Sequence, residues 1–397
     1  MARRAFYEFF AGGGMARIGL GAGWRCLMAN DNDPVKCAAY RENFGGAHLI
    51  ERPVAELCAA DLPGRADLAW ASFPCQDLSL AGLRRGMSAA RSGAFWGFWF
   101  LIEQLLREGR APRALMIENV VGLASSNDAA DLAALTGALA QAGYSYDAHV
   151  VDAAGFVPQS RPRLFIFAWL GPTPAHMIDP APVRPMPLFR GLIRIGPDSD
   201  RAFVPLRLAP PPGRRADLGD LLEDRPADQR WRSAAQTRAL LALMTPRHRA
   251  RVEEARARAR AEGRRVAGGV YRRTRPDGKG GTVQRAEVRF DVAGCLRTPA
   301  GGSSRQTVLA CEPDGRLRSR LLSAREAARL MGLPDDYRLP PTYTNAYKLA
   351  GDGVVPPVVR HLAAHLIEPL LDAQDAAGAA PQGRPRAATV VTGAGAP

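Results

Sequence analysis

The stretch that decides the fold is AFYEFFAGGGMARIGLGAGWRCLMAND, residues 5–31. An apolar run, Ala5–Phe10, leads through a glycine-rich turn into a helical pattern near Met15–Gly21. A second apolar run, Trp24–Asn30, ends at Asp31. A strand, a tight turn, a helix and another strand form one βαβ unit, from which doubly wound parallel sheets are built.

The same alternation of apolar runs and helical patterns continues to about residue 170. Further strands are predicted at Ala66–Ala71, Ala114–Glu118, Ser145–Val151 and Leu164–Trp169, and further helices near Val35–Asn43, Phe95–Arg107 and Ala129–Ala142. We therefore predict an α/β fold with a doubly wound, Rossmann-like sheet. Ligands of such sheets bind beyond the carboxyl ends of the strands.

The charge of the chain is concentrated in its middle. The net charge is +14, and residues 184–305 hold 27 basic against 13 acidic residues, which equals the whole excess. A neutral body with one basic section indicates a polyanionic partner that binds one face. A GC-rich genome would explain why nearly all the basic residues are Arg, but not where they lie.

Composition also excludes several classes of protein. No apolar run is long enough to span a bilayer, and the N-terminus lacks the apolar core of a secretory signal. The six cysteines are far apart without a CxxC pair, so neither a zinc site nor a disulfide framework is predicted. We expect a cytoplasmic protein that does not bind a membrane or a metal.

The amino-acid composition of the chain changes after the predicted sheet. Residues 172–212 contain 11 prolines and read as a linker. Beyond it we predict a helix at Ala234–Met244, the basic run Arg247–Arg265, a loop at Gly268–Gly281 and a strand at Ala286–Val292.

The last part of the chain is predicted to return to helices. Ser323-Ala324-Arg325-Glu326 is a capping box that opens a helix through Met331, and another helix covers Val358–Leu371. The domain boundaries that we predict are 1–171 for the sheet domain, 172–322 for the linker and a smaller, basic, irregular domain, 323–371 for the return to the first domain, and 372–397 for a disordered tail.

The glycine turn and Asp31 predict a cofactor site. Glycines let a ligand approach the backbone of the loop that holds Phe10, Ala11, Gly12 and Gly14. Asp31, at the end of the second strand, is placed to bind ribose hydroxyls. A nucleoside cofactor is indicated, but a dinucleotide and S-adenosylmethionine are not distinguished.

Three further segments follow predicted strands or lead into one. Ser72-Phe73-Pro74-Cys75-Gln76 places a cysteine on a turn, where its thiolate can act as a nucleophile, although a lone Cys is more often a buried apolar residue. Glu118 and Asn119 end an apolar strand at the same edge, where a helix cap is the plainer interpretation. Gln159, Arg161 and Arg163 alternate along an extended segment, so their side chains share one face.

The order of these segments closely resembles the cytosine-5 DNA methyltransferase family, whose pattern runs F-x-G-x-G, an acidic residue, PCQ, ENV and QxRxR. Two late segments, residues 320–337 and Gly351-Asp352-Gly353-Val354, resemble its last motifs. The resemblance covers about residues 6–170 and 294–370. It implies a methyltransferase sheet, S-adenosylmethionine as methyl donor, and the basic middle as the target recognition domain.

The resemblance also implies residue roles. Cys75 would add to cytosine, Glu118 would protonate or bind the ring nitrogen, Arg163 would hold the ring carbonyl, and Arg161 would support the thiolate. Asn119 and Gln159 would position loops. The residues implied to bind the cofactor are Phe10, Ala11, Gly12, Gly14, Asp31, Pro74, Phe95, Asp352 and Val354.

Some positions depart from the family pattern. Met15 replaces a glycine after the first motif, Ser72 replaces the glycine before Phe-Pro-Cys-Gln, and Asp352 replaces Asn in the last motif. The acidic residue that contacts the cofactor's adenine has no clear counterpart, since Pro53 falls near it and Asp61 is a weak substitute.

The implied partner is double-stranded DNA, and the base must leave the helix to be reached. We expect a monomer, associated with the nucleoid, with a companion restriction enzyme as a further partner. Three alternatives remain open at this point: a tRNA cytosine methyltransferase, a catalytically inactive binding module, and a nicotinamide-dependent oxidoreductase. No residue is assigned as a base reader.

Overall fold

Two β-sheets organise the protein. The computed structural model describes residues 3–73, 93–183, 188, 202–276, 281–297 and 305–378. Within these residues, a seven-stranded sheet lies in the first part of the chain and a four-stranded sheet lies in the middle. The two sheets pack through a shared apolar cluster, which contains Trp70 and Phe167 of the first sheet and Val308 and Ala310 of the second.

The seven-stranded sheet has the order β3-β2-β1-β4-β5-β7-β6. Its strands are β1 Arg4–Phe9, β2 Trp24–Asp31, β3 Leu49–Glu51, β4 Leu68–Ser72, β5 Ala114–Val120, β6 Ser145–Asp152 and β7 Pro162–Trp169. The six predicted strands and the doubly wound fold are confirmed. β3 was not predicted, because three residues are too few to show alternation.

One strand departs from the parallel arrangement. β7 runs antiparallel to both β5 and β6, whereas β1 to β5 pair in parallel. The segment 153–161 between β6 and β7 is short, and a parallel crossover needs a dozen or more residues. The chain therefore turns back directly, which brings residues 159–163 to the same sheet edge as the end of β5.

Helices cover both faces of this sheet. They are α1 Met15–Leu20, α2 Pro34–Phe44, α3 Ala94–Arg107 and α4 Ala130–Gln141, followed late in the chain by α7 Ala324–Leu330, α8 Tyr343–Asp352, α9 Pro356–Leu362 and α10 Glu368–Ala376. Neighbouring strand residues point to opposite faces: Tyr7 packs in the cluster of α3 and α4, and Phe6 packs with α1 and α9.

The four-stranded sheet is antiparallel, in the order β11-β10-β8-β9. It consists of β8 Val266–Pro276, β9 Thr282–Phe290, β10 Thr307–Cys311 and β11 Leu317–Leu321, with the helices α5 Ala234–Ala242 and α6 Pro246–Glu262 before it. The middle domain is thus more regular than its sequence indicates, and most of the basic run forms α6.

The loop predicted at Gly268–Gly281 is wrong, since residues up to Pro276 belong to β8. Its glycines serve close packing instead of a turn. A Cβ on Gly268 would lie 2.8 Å from the carbonyl oxygen of Arg289, and one on Gly269 would lie 3.1 Å from Nε2 of Gln306.

The predicted capping box is confirmed, because the Ser323 hydroxyl accepts from the Glu326 N–H and the Glu326 carboxylate accepts from the Ser323 N–H. The predicted helix at 358–371 occurs as α9 and α10, joined by a π-helical turn at Ala363–Ile367. Disorder from residue 372 is wrong for its first residues, since α10 continues to Ala376. None of the described helices combines the length and apolarity needed to cross a membrane.

Candidate active site

The site lies where the strand order reverses. β1 pairs with β2 on one side and with β4 on the other, so the loops after β1 and β4 leave the sheet in opposite directions. The crevice at such a switch point is the usual ligand site of an open α/β sheet. The glycine turn follows β1, and the segment with Cys75 follows β4.

The loop after β1 is shaped by left-handed backbone. Phe10, Gly12 and Gly14 have φ of 56°, 55° and 74°. A Cβ on Gly12 would have no atom within 4 Å, so this turn is open on that side, whereas one on Gly14 would lie 2.4 Å from the Phe44 ring. The backbone N–H of Ala11 donates to the carbonyl oxygen of Asn30 at 2.8 Å, which ties the loop to the end of β2.

Asp31 is buried beside this loop. Its Oδ2 accepts from the Gly12 N–H at 2.8 Å, and its Oδ1 accepts from the Asp33 N–H at 2.9 Å. Each carboxylate oxygen retains acceptor capacity for a further hydroxyl donor. The predicted cofactor residues Ala11, Gly12 and Asp31 are therefore in one place.

The end of β5 lies against the end of β4. Glu118 is paired in register with Ser72, and both Glu118 and Asn119 are buried. Asn119 Nδ2 donates to the carbonyl oxygen of Phe73 at 3.0 Å, so it anchors the chain just before Pro74. Pro74 and Cys75 lie outside the described residues.

Two arginines reach this edge from the start of β7. Arg163 Nε lies 3.2 Å from Glu118 Oε1, in an ion pair that is mostly buried. Arg161 is 3% exposed, and its pKa is lowered by burial and by the neighbouring Arg163. The structure thus brings Glu118, Asn119, Arg161 and Arg163 together, as their order in the sequence predicted.

Arg161 binds the late loop. Its Nη2 donates to the carbonyl oxygens of Gly351 and Gly353 at 2.9 and 2.8 Å, and its Nη1 donates to the carbonyl oxygen of Leu296 at 3.2 Å. Gln159 has a similar role, because its amide donates to the Leu330 carbonyl and accepts from the Leu296 N–H. Both residues join β7 to segments more than 130 positions away.

Cys295 is a site residue that sequence reasoning missed. Its sulfur accepts from Arg161 Nη1 at 3.3 Å and lies 3.8 Å from Arg163 Nη2. The signal in the sequence was only that Gly294-Cys295 follows a short strand pattern. Nothing local indicates that this thiol reaches both arginines.

Asp352, the departure in the last motif, has an ionic partner. Its Oδ2 lies 2.9 Å from Nζ of Lys36 on α2, and Lys348, one turn earlier on α8, lies 2.9 Å from Oδ2 of Asp33. The two pairs join α2 and α8 beside Asp31. Lys36 was not predicted, since its partner is distant in sequence.

The other positions that depart from the family pattern also have defined contacts in the structure. Met15 packs closely on Gly353, where an added Cβ would lie 2.1 Å from its sulfur. The Ser72 hydroxyl accepts from the Trp70 indole N–H at 3.0 Å. Asp61 is engaged in local contacts, since it accepts from the Cys58 N–H and pairs with Arg52.

Two predicted cofactor residues lie in the core. Phe95 is fully buried and packs against Phe73 and Trp99, with ring centroids 5.5 and 6.2 Å apart. Val354 is buried directly after the loop that Arg161 binds. Their contact with a cofactor stays a prediction, and their packing places them next to the loops that carry the site.

A cleft of about 1650 Å³ joins this edge to the second sheet. Ser160 and Cys295 line one side, and residues of β8, β9 and α6 line the other. Among its described lining residues, eight are Arg and two are Glu. The cleft is therefore strongly basic, and it includes Cys295, whose sulfur contacts Arg161 and Arg163.

Comparison with known proteins identifies the family to which the chain is similar. Residues 4–368 match the family model of C-5 cytosine-specific DNA methylases. The chain is 26% identical over 366 residues to the Type II methyltransferase M.NlaX of Neisseria lactamica, covering 90% of this chain and 94% of that protein. It is also 26% identical over 364 residues to M.HhaI of Haemophilus parahaemolyticus, covering 90% and 92%.

Solved structures agree in fold. The crystal structure of the S. pombe Dnmt2 methyltransferase is similar with a TM-score of 0.55 and 18% identity, over 93% of this chain and 99% of that one. A methyltransferase of an E. coli prophage is similar with a TM-score of 0.52. Since the family model spans nearly the whole chain, the protein belongs to the C-5 cytosine-specific DNA methylase family.

Proposed function

We propose that the protein methylates carbon 5 of cytosine within a specific sequence of duplex DNA, with Cys75 as nucleophile and S-adenosylmethionine as methyl donor. The observation that carries the proposal is the contact set at the end of β5. Glu118 binds Arg163, and Asn119 binds the backbone two residues before Cys75. A carboxyl group that can protonate the cytosine ring, a guanidinium that can hold its carbonyl oxygen and an amide that anchors the loop thus lie where the Cys75 segment follows β4.

These groups suit the chemistry of a poor carbon nucleophile. Cytosine carbon 5 becomes nucleophilic when a thiolate adds to carbon 6, because the addition breaks the aromatic system. Protonation or hydrogen bonding at ring nitrogen 3 prevents charge from building up there. After carbon 5 is methylated, loss of its proton and cleavage of the carbon–sulfur bond restore the aromatic ring and the thiolate.

Each described residue has a defined part in this scheme. Arg163 holds Oε1 of Glu118, which leaves Oε2 for the ring nitrogen, and its guanidinium is available to the ring carbonyl. Arg161 has a buried Nε–H without a hydrogen-bond partner among the described residues. That donor is available to support the Cys75 sulfur, since a nearby cation favours a thiolate.

The loop after β1 fits the cofactor. The open side of Gly12 and the acceptor oxygens of Asp31 would hold the nucleoside, and the late loop at Asp352 and Val354 would close the site. Bound S-adenosylmethionine supplies a methyl group activated by its sulfonium. Asp31→Ala should weaken binding of S-adenosylhomocysteine at least tenfold in calorimetry, with the fold unchanged by circular dichroism.

The nucleophile is tested by covalent trapping. A duplex in which cytosine is replaced by 5-fluorocytosine should form a stable protein–DNA adduct, because a fluorine at carbon 5 cannot leave as a proton does. The adduct should require both Cys75 and the methyl donor. Cys75→Ala should abolish methyl transfer and the adduct while leaving DNA binding largely intact.

Cys58→Ala is the matched control, since Cys58 is exposed and its thiol contacts Asp61 rather than Glu118, Arg161 or Arg163. That variant should keep wild-type activity and form the adduct. An active Cys75→Ala enzyme would contradict the mechanism.

The substrate class is tested in parallel. Methyl transfer to duplex DNA should exceed transfer to tRNA, because the basic cleft is long and lies beside the site. We also propose that the protein acts as a monomer and that its methylation mark blocks a restriction enzyme of the same specificity. Light scattering and digestion of DNA from expressing cells measure these two properties.

A further inference from the structure

The strands β8 and β9 extend beyond the sheet to which they belong. β10 pairs with β8 only as far as Val270, whereas β8 and β9 remain paired from Tyr271 and Glu287 to Pro276 and Thr282. This outer part, residues 271–276 and 282–287, is here called the ribbon. It is a two-stranded antiparallel element, and Arg272–Pro276 are all exposed.

The ribbon has one charged face. Side chains alternate along a strand, so Tyr271, Arg273 and Arg275 share a face with Arg285 and Glu287 of the opposite strand. The residues between them, such as Ala286, turn toward the apolar cluster of α5 and α6. The charged face is therefore held in one orientation by the packing behind it.

Glu287 binds two of these arginines. Its Oε1 accepts from Arg275 Nε at 2.8 Å, and its Oε2 lies 3.4 Å from Arg273 Nε. The Arg273 guanidinium also lies over the Tyr271 ring, 5.9 Å from its centroid. Two long side chains are thus partly ordered before any ligand is bound.

Arg285 differs from Arg273 and Arg275 in its ion pairing. It stands directly opposite Arg273, and no carboxylate pairs with it among the described residues. Like charges opposite one another destabilise a sheet. Their presence in an exposed ribbon indicates an anionic ligand, because folding alone would favour a neutral pair.

The ribbon lies on the cleft that leads to the site. Arg273, Glu287 and Arg289 line this cleft together with Ser160 and Cys295. An anion bound along the ribbon therefore lies in the same basic cleft as Cys295, whose sulfur contacts Arg161. Its length, six residues or roughly 20 Å, matches about six base pairs of DNA.

We propose that the ribbon enters the major groove of duplex DNA and reads base edges with Arg273, which Glu287 helps to orient, and with Arg285, which stands opposite Arg273. The proposal rests on the function proposed above. The major groove accommodates a two-stranded β-ribbon, and a planar guanidinium bonds both acceptors of a guanine edge. A carboxylate in a DNA-facing surface lowers general affinity, so its presence points to selectivity.

Selection of bound duplexes from a random library tests the proposal without methyl transfer. Wild-type protein with S-adenosylhomocysteine should enrich one sequence pattern. Arg285→Ala should reduce discrimination between that pattern and unrelated duplexes about 5- to 150-fold, the range of one lost bidentate base contact. Affinity for unrelated duplexes should change less than about threefold.

Glu287→Gln should act in the opposite direction on unrelated DNA. It removes a negative charge from the ribbon, so affinity for unrelated duplexes should rise and discrimination should fall. A purely structural role of Glu287 would instead lower both affinities together. The control is Arg316→Ala, an exposed arginine in the turn between β10 and β11 that does not line the cleft, which should leave the enriched pattern unchanged.

The outcomes separate the two proposals. Absence of cytosine methylation by the wild-type protein would contradict the proposed function. The selection would still report which residues set the preference for a DNA sequence. An unchanged pattern in the Arg285 and Glu287 variants overturns the ribbon proposal alone. A uniform loss for all sequences, with a weaker salt dependence, also overturns it, because that is the signature of phosphate contacts.

Discussion

The two sheets use charge in opposite ways. In the seven-stranded sheet, Arg161 and Glu118 are buried and bound to fixed partners. In the four-stranded sheet, Arg273 is about half exposed and Arg285 has no carboxylate partner among the described residues. The comparison shows that the first sheet holds its charged groups in one geometry, whereas the ribbon of the second sheet leaves its arginines at least partly exposed to solvent.

The difference follows from electrostatics. A buried charge must be paired and hydrogen-bonded, because its desolvation is otherwise very costly. An exposed guanidinium has no such requirement and keeps its donors for a ligand. Substitutions of charged residues should therefore change stability strongly in the first region and at the junction, and weakly in the ribbon.

The largest loss of stability is expected at the junction of the two sheets. Arg320 of β11 and Glu326 of α7 form a fully buried pair, with Nη2 2.5 Å from Oε1. Arg320→Met should lower the free energy of unfolding by about 3–5 kcal/mol, because Glu326 is left buried without its cation. Urea denaturation measures this loss.

The double variant Arg320→Met/Glu326→Leu sharpens that test, since removing both charges should recover much of the stability. The exposed pair Arg338 and Glu42 is the control, and Arg338→Met should cost about 0–1 kcal/mol. Equal losses of unfolding free energy for the buried and exposed pairs would contradict the proposed difference between buried and exposed charges.

The second largest effect on the free energy of unfolding is expected from Glu8 and depends on pH. Glu8 of β1 is fully buried, and desolvation raises its pKa to about 8 from 4.5, despite nearby Arg17. The unfolded chain ionises Glu8 above pH 4.5 while the folded protein keeps it protonated, so stability falls as pH rises toward 8. From pH 5 to pH 8 this loss should reach as much as about 4 kcal/mol.

Glu8→Gln should remove that part of the pH dependence. Its unfolding free energy relative to wild type should rise between pH 5 and pH 8, as followed by denaturation at each pH. A constant difference between the two proteins across this range would mean that Glu8 does not titrate on folding.

A smaller effect is expected at the ion pair beside the cofactor loop. Asp352→Asn should leave Lys36 without its partner and closer to Asp31, which would weaken S-adenosylhomocysteine binding about fivefold, or about 1 kcal/mol. Adding Lys36→Met should restore affinity by removing the displaced charge. Calorimetry of the single and double variants distinguishes this coupling from a direct contact of Asp352 with the cofactor.

The smallest change in stability is expected in the ribbon. Arg285→Ala should alter the free energy of unfolding by no more than about 0.5 kcal/mol, since no described partner is lost. The same variant should nevertheless lose DNA discrimination. A large destabilisation would mean that the ribbon arginines hold the fold, and the contrast between the two sheets would then disappear.

Much of the first sheet was predictable. Its strands show short apolar runs, its turns show glycine, and the chemistry-bearing residues follow the strands in order. Glu118 and Arg163 could be placed at one edge because strand ends converge there. The β8 strand was missed because Gly268 and Gly269 resemble a turn, although they serve close packing.

Sequence alone determined six of the seven strands of the first sheet, the order of the motifs that follow them and the family that this order resembles. These features depend on local periodicity and on residues at fixed spacing. The tertiary structure decided which distant groups meet: Cys295 with Arg161, Lys36 with Asp352, and the ribbon with Ser160 in one cleft. Such contacts join residues more than 100 positions apart, and no local pattern encodes them, because each arises only when the whole chain has packed.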